Sequence, residues 1–249
     1  MKDRKLPNVV GEWCFDEALR ACHAHVHTRW GFAMKNLAML AIVLCFVALP
    51  RYAGSQQDVV LRPDLTKPEN IEKWTMDGSG SWRTSGGMLV LHKAGVPAGP
   101  IRRPAALAIL RTKCFRSVSV EADIRSTAPL PVVRRDLDVV FGYESPARFY
   151  YVHLSGISDS VHNGIFLVNN APRVRIDSGK GKPQLMDSLW HHVRVGHDGR
   201  SGRISVFVDS SKAPVLEAVD STITCGEVGF GSFDDTGEFR RIIVAGEQE

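Results

Sequence analysis

After Gln56 this chain of 249 residues has little helical periodicity, no internal repeat and no low-complexity tract, which speaks against a helical bundle or a solenoid and for one domain. Paired cysteines at metal spacing are missing throughout, so a zinc-ribbon or finger reading has no support. Charge of one sign is also missing. The 31 Lys and Arg are set against 27 Asp and Glu, with no basic stripe of the kind that tracks a nucleic-acid backbone. Apolar runs are short. The longest, residues 37–49 (LAMLAIVLCFVAL), falls well below the ~20 residues of a membrane-spanning helix.

That run has a different use. Met34-Lys35-Asn36 precedes it, Pro50-Arg51 stops it, and Ala53-Gly54-Ser55 offers small residues for cleavage before Gln56. This is the layout of a secretion signal, whose apolar core spans ~7–15 residues. The expected organisation is a mis-assigned or disordered N-terminal extension over 1–33, a signal peptide over 34–55, and a single β-sandwich domain over 56–249, with Met34 as the start of translation. Cys14, Cys22, His23, His25 and His27 in the extension lack the paired spacing of a structural metal motif. Seven basic and four acidic residues precede Gln56, so the exported part carries a net charge of about +1. The expected location is secreted or periplasmic, with no stable membrane span after processing and no nucleic-acid partner. Only Cys114 and Cys225 remain in that part. Two readings stand for them: one disulfide closing a long loop, or two separate buried thiols.

Short alternating runs punctuated by Gly, Pro, Asn, Asp and Ser predict strands over 88–92, 106–111, 115–125, 137–143, 149–154, 164–168, 173–177, 190–195, 203–209, 215–218, 227–233 and 239–245. One short helical turn is expected around Pro68-Glu69-Asn70. About a dozen strands without a long helix predict an all-β fold of two packed antiparallel sheets. Asp198-Gly199 marks a tight turn that wants positive φ. Trp74, Trp82 and Trp190 read as packing residues.

The segment 137–156 (LDVVFGYESPARFYYVHLSG) carries the most information. It predicts a hairpin with its turn over 144–148. On the returning strand Tyr150, Val152 and Leu154 share one face, and Phe149, Tyr151 and His153 share the other. Rings and an imidazole on one face suit a sugar, which stacks and hydrogen-bonds at once, and they equally suit a half-buried sheet. Asp138 faces the same side on the paired strand. His162 and Asn163 open the next strand, and Arg173 follows it. Asp138, Tyr151, His153, His162, Asn163 and Arg173 are the candidate carbohydrate-binding residues, because sugar hydroxyls require paired donors and acceptors. Asp234 and Asp235, in the oxygen-rich turn Asp234-Asp235-Thr236-Gly237-Glu238, are candidate Ca²⁺ ligands, although the same residues make a good plain turn. His191 and His192 point to opposite faces of a strand and cannot chelate one metal together.

The order of Trp82-Arg83-Thr84-Ser85-Gly86-Gly87-Met88-Leu89-Val90, HNGIFLVNNAPRVRI (His162 onward), LWHHVRV (Leu189 onward), GRISVFVD (Gly202 onward) and GEVGFGSFDDTGEF (Gly226 onward) resembles the concanavalin A-like, laminin-G-like jelly rolls of secreted bacterial proteins, including those called 3-keto-disaccharide hydrolase or family-16-glycosidase-like. The resemblance implies a two-sheet jelly roll, and this fold often holds a structural Ca²⁺. Laminarinase-type relatives carry Glu-x-Asp-x-Glu on one strand. Here Glu121 and Asp123 match, but Arg125 stands at the third position, and a guanidinium cannot protonate a leaving group. The three residues are therefore expected to form a solvated polar face. The function expected first is a secreted, lectin-like, non-catalytic carbohydrate-binding module for a polysaccharide or glycoconjugate. The alternatives are a glycan-active hydrolase or lyase with a non-standard site, in which Arg173 would neutralise a uronate, and a structural envelope or adhesion protein.

Overall fold

The computed structural model describes residues 57–249 except Lys180; the predicted extension and signal lie outside the described residues. Fourteen strands run in chain order: β1 (Gln57–Leu61), β2 (Trp74–Gly78), β3 (Ser81–Ser85), β4 (Met88–Lys93), β5 (Ala106–Ser126), β6 (Asp136–Ser145), β7 (Arg148–Ser155), β8 (Gly164–Asn169), β9 (Val174–Arg175), β10 (His191–Asp198), β11 (Arg203–Val208), β12 (Leu216–Val219), β13 (Gly226–Ser232) and β14 (Gly237–Gln248). Among the described residues the one helical element is the expected turn, a 3-10 segment Pro68–Lys73. No helix among the described residues is long and apolar enough to cross a membrane.

All pairings are antiparallel. The runs predicted over 106–111 and 115–125 are one strand, β5, because its two halves serve different sheets. The first half pairs with β2 and β13, and the second with β10 and β14. One layer is β2-β5-β13-β6-β7-β8-β9; the other is β12-β11-β10-β5-β14, with β1, β3 and β4 added beside β14. The main core fills the space between them. Val120, Ala122 and Ile124 of β5, Val193 and Val195 of β10 and Ile204 and Val206 of β11 meet Leu137, Val139 and Phe141 of β6 and Tyr150, Val152 and Leu154 of β7. These are the period-2 faces that the alternation predicts.

Cys114 and Cys225 form a disulfide, with Cα atoms 5.4 Å apart, beside the point where β5 passes between layers. The β10–β11 turn differs from expectation. Positive φ falls on Gly202 and not on Gly199, and the Gly202 N–H donates to the Asp198 carbonyl at 2.7 Å. The strand predicted over 173–177 shrinks to two residues, while β1, β2 and β3 were not predicted.

The β6–β7–β8 sheet has a second apolar layer on its far face. Leu107, Ile109, Val140, Phe149, Tyr151, Phe166 and Phe233 are buried there, with Ile101 packed on them. Ile101 belongs to the segment 94–105, which is tied down by the Arg103–Asp77 ion pair and by the Arg173 N–H donated to the Arg102 carbonyl. The aromatic face of the hairpin is thus covered by chain along much of its length, and its polar end carries the site.

Candidate functional site

Asp136 and Asp138 are two apart on β6, so both side chains leave the same face, and the hairpin register sets Asp138 directly opposite His153. Nδ1 of His153 lies 2.8 Å from Oδ1 of Asp138 and 3.7 Å from Oδ2 of Asp136. All three groups are at most 2% exposed. The turn after β13 wraps Asp136: the Phe233 N–H and the Ser232 hydroxyl donate to its Oδ2 at 2.9 and 3.2 Å, and its own N–H donates to Asp235 Oδ2. Oδ2 of Asp138 is buried without a hydrogen-bond partner among the described residues. A buried polar atom left in that state is costly.

Above this base opens a cleft of about 260 Å³, walled by Arg102, Arg134, Arg173, His162, Asp234 and Phe233, with Pro97 and Val161 at its edges. Arg173 is held from several sides. Its NH1 donates to the Tyr151 hydroxyl and its NH2 to the Val161 carbonyl, both at 3.0 Å, and its guanidinium lies 4.2 Å from the Phe233 ring and 4.7 Å from that of Phe166. Arg102 reaches over the same Phe233 ring at 5.6 Å. His162 turns in beside His153, ring centres 5.7 Å apart, and its Nδ1 sits 2.8 Å from the Asp159 carboxylate.

Burial dominates the electrostatics at the base. It pushes the Asp136 and Asp138 carboxyls well above the usual carboxylate range. It also pushes the His153 imidazole down to about 4; Arg173 and His162 add to that fall, while Asp136 opposes it. The imidazole is accordingly neutral near pH 7. The cleft therefore presents guanidinium donors at its walls and acceptor atoms at its floor.

His153, His162 and Arg173 line this cleft as a group. Asp138 lies beneath His153. Tyr151 is fully buried, stacked on Phe166 at 5.3 Å, and reaches the cleft only by the bond from Arg173 to its hydroxyl, so it offers no open ring for stacking. Asn163 is buried outside the lining, its Nδ2 donating to the Lys182 carbonyl. Asp234 lines the cleft, and Asp235 supports Asp136 from behind. Asp136, Asp234 and Asp235 place carboxylate oxygens within 4.8 Å of one another, an all-oxygen set of the type Ca²⁺ takes, although Asp136 Oδ2 and Asp235 Oδ2 already accept backbone N–H groups. Sequence reasoning missed Asp136, whose signal was its i, i+2 spacing to Asp138. It also missed Arg102, Arg134 and Phe233, for which no local signal distinguishes a site residue.

The Glu121-Asp123-Arg125 strand is not simply a solvated face. Asp123 is buried and takes an ion pair from Arg241, one from Arg240 at 3.3 Å and one from His192 at 3.2 Å. Arg125 pairs with Glu238, and Trp190 lies between Arg125 and Arg240 at 4.4 and 4.0 Å. His191 and His192 separate as expected, the first to Asp187 and Asp209, the second to Asp123.

No family model matches the chain, and no curated protein matches it. Solved structures do. The carbohydrate-binding module CBM66 from Bacillus subtilis aligns with a TM-score of 0.54 at 15% identity, over 71% of this chain and 96% of that one. The basic winged bean lectin solved with Tn-antigen aligns with a TM-score of 0.53 at 13% identity, over 76% and 98%. A Bacillus subtilis protein of unknown function with a galectin-like fold aligns at 0.51 and 14% identity, over 78% and 99%. At such identities the likeness carries the fold alone: a jelly-roll β-sandwich.

Proposed function

We propose that this chain is a secreted, lectin-like module whose cleft binds a polysaccharide or glycoconjugate. The observation that carries the proposal is convergence. His153 from β7, His162 from the loop before β8 and Arg173 from the loop after it meet in one cleft of about 260 Å³, with Asp136 and Asp234 as acceptors. Alternating donors and acceptors in a partly apolar cavity are what sugar hydroxyls need. The disulfide and the signal pattern over 34–55 support export. The finer kinship, to 3-keto-disaccharide hydrolase or family-16-glycosidase-like domains, rests on the motif order and is part of the proposal. A structural Ca²⁺, if bound, would take Asp234 and Asp235 with Asp136 as the third carboxylate. His162 is the residue to test, because it sits at the rim and not in the core. His162→Ala should weaken binding on a glycan array at least tenfold with an unchanged melting temperature; unaltered binding would overturn the assignment.

A second reading, a glycan-active hydrolase or lyase, is favoured by one contact. The Asp138–His153 pair at 2.8 Å resembles the carboxylate–imidazole arrangement that orients a general base. With Nδ1–H donated to Asp138, Nε2 is the free acceptor. Release of new reducing or unsaturated ends from a polysaccharide panel, abolished by His153→Gln, would establish this reading over binding alone.

A further inference from the structure

The arginines of this protein differ in whether a carboxylate neutralises them. Away from the cleft many are neutralised: Arg103 pairs with Asp77, Arg175 with Asp177, Arg125 with Glu238 and Arg241 with Asp123. Arg102, Arg134 and Arg173 have no carboxylate partner within ion-pair distance among the described residues, yet all three wall the same cavity. Arg173 spends its two terminal nitrogens on neutral oxygens, the Tyr151 hydroxyl and the Val161 carbonyl, so its charge is oriented but not cancelled. Its place between the Phe166 and Phe233 rings fixes the guanidinium before any ligand arrives, which lowers the entropic cost of using it. Asp234 is the one open carboxylate in the wall, while Asp136 lies buried beneath it with its Oδ2 already accepting from the Phe233 N–H and the Ser232 hydroxyl.

Three like charges in so small a space repel one another, and water screens them poorly within a cleft. An anion relieves the repulsion, and guanidinium forks match pairs of carboxylate or sulfate oxygens. The volume sits just below the ~300–1,000 Å³ of ordinary ligand pockets, room for about one sugar ring. We propose that the cleft selects an anionic sugar residue, one bearing a carboxylate or a sulfate, and engages the anion through Arg102, Arg134 and Arg173. This rests on the glycan-binding reading above and narrows it to a ligand class.

The test is calorimetry of the full chain against three matched sets of oligosaccharides, uronate-bearing, sulfated and neutral, at low and at high salt. The acidic sets should bind at least about tenfold more tightly than the neutral set, and high salt should erase most of that margin. The arm that binds, uronate or sulfated, identifies the anion. Arg102→Gln with Arg134→Gln removes two exposed charges, so the variant should keep its melting temperature. It should lose about tenfold or more in affinity for the acidic set, while Arg83→Gln, an exposed arginine on β3, changes nothing. Neutral sugars binding as tightly as acidic ones, or an indifferent double variant, would overturn this inference and leave glycan binding standing. Failure of all three sets to bind would overturn both.

Discussion

Two strands of this protein carry carboxylates two residues apart, Glu121 and Asp123 on β5 and Asp136 and Asp138 on β6, and their fates are opposite. Asp123 is buried, but Arg240, Arg241 and His192 close around it, and the neighbouring Arg125 has Glu238. That region is balanced, and its arginines clamp Trp190. On β6 the buried acids face the neutral imidazole of His153, while among the described residues the nearby Arg102, Arg134 and Arg173 have no carboxylate within ion-pair distance. A balanced network holds structure. An unbalanced one, with acids held below and cations left open above, is suited to receive a ligand.

The comparison can first be broken at its shared support. The Cys114–Cys225 bridge ties β5, where it changes sheets, to the residue just before β13, and its sequence separation is 111. Replacing both cysteines by serine should cost about 4–5 kcal/mol in denaturant unfolding and weaken both regions together. A loss below about 1 kcal/mol would mean that they stand without the bridge.

Acid should act next most strongly, and on the β6 side. His153 is neutral in the fold down to about pH 4, whereas the unfolded chain takes up its proton from about pH 6.5. The unfolded state therefore binds more protons between those values, and stability falls as pH falls through that window, by on the order of 3 kcal/mol from this group. Asp136, Asp138, Asp234, His162 and Arg173 face His153 from the elements around it. Asp136 and Asp138, with raised values, act in the opposite direction, losing stabilisation as pH rises. His153→Gln isolates the imidazole: the stability difference between the wild type and this variant should shrink from pH 7 to pH 4, and a constant difference would show that the imidazole titrates normally.

Asp138→Ala strands the His153 Nδ1 in the core and should cost about 1–3 kcal/mol, against ~0.5 kcal/mol or less for Glu121→Ala. Equal costs would erase the distinction between the two strands. Asp123→Asn should be milder, about 1 kcal/mol, because Arg241 is 71% exposed and water can take over its charge; glycan binding should not change. A loss of binding in that variant would move the site to the other sheet.

Much of the hairpin was legible from its residues. Alternation placed Leu137, Val139 and Phe141 on one face and Asp138 and His153 on the same side of paired strands; their direct opposition depends on the register shift between Phe141 and Ser145, which the turn residues do not encode. The strands β2 and β3 escaped notice for the same local reason: WTMDG and SWRTS are polar and Gly- or Ser-bearing, and they become strands by pairing with β5 and β4. Tyr151 was chosen for its type and face, but its burial depends on the segment 94–105 folding across the sheet, which no periodicity encodes.

What the sequence by itself determined, then, is the all-β class, the two faces of the hairpin, and the shared side of Asp138 and His153, all consequences of interactions within a few residues or across one turn. The tertiary structure alone decided that Arg102 and Arg134 stand over that pair, and that Asp123 has cations to neutralise it while Asp136 does not. Those outcomes depend on loops and strands far apart in the chain being brought together, and the sign of charge at a site is a sum over neighbours that only the packed molecule supplies.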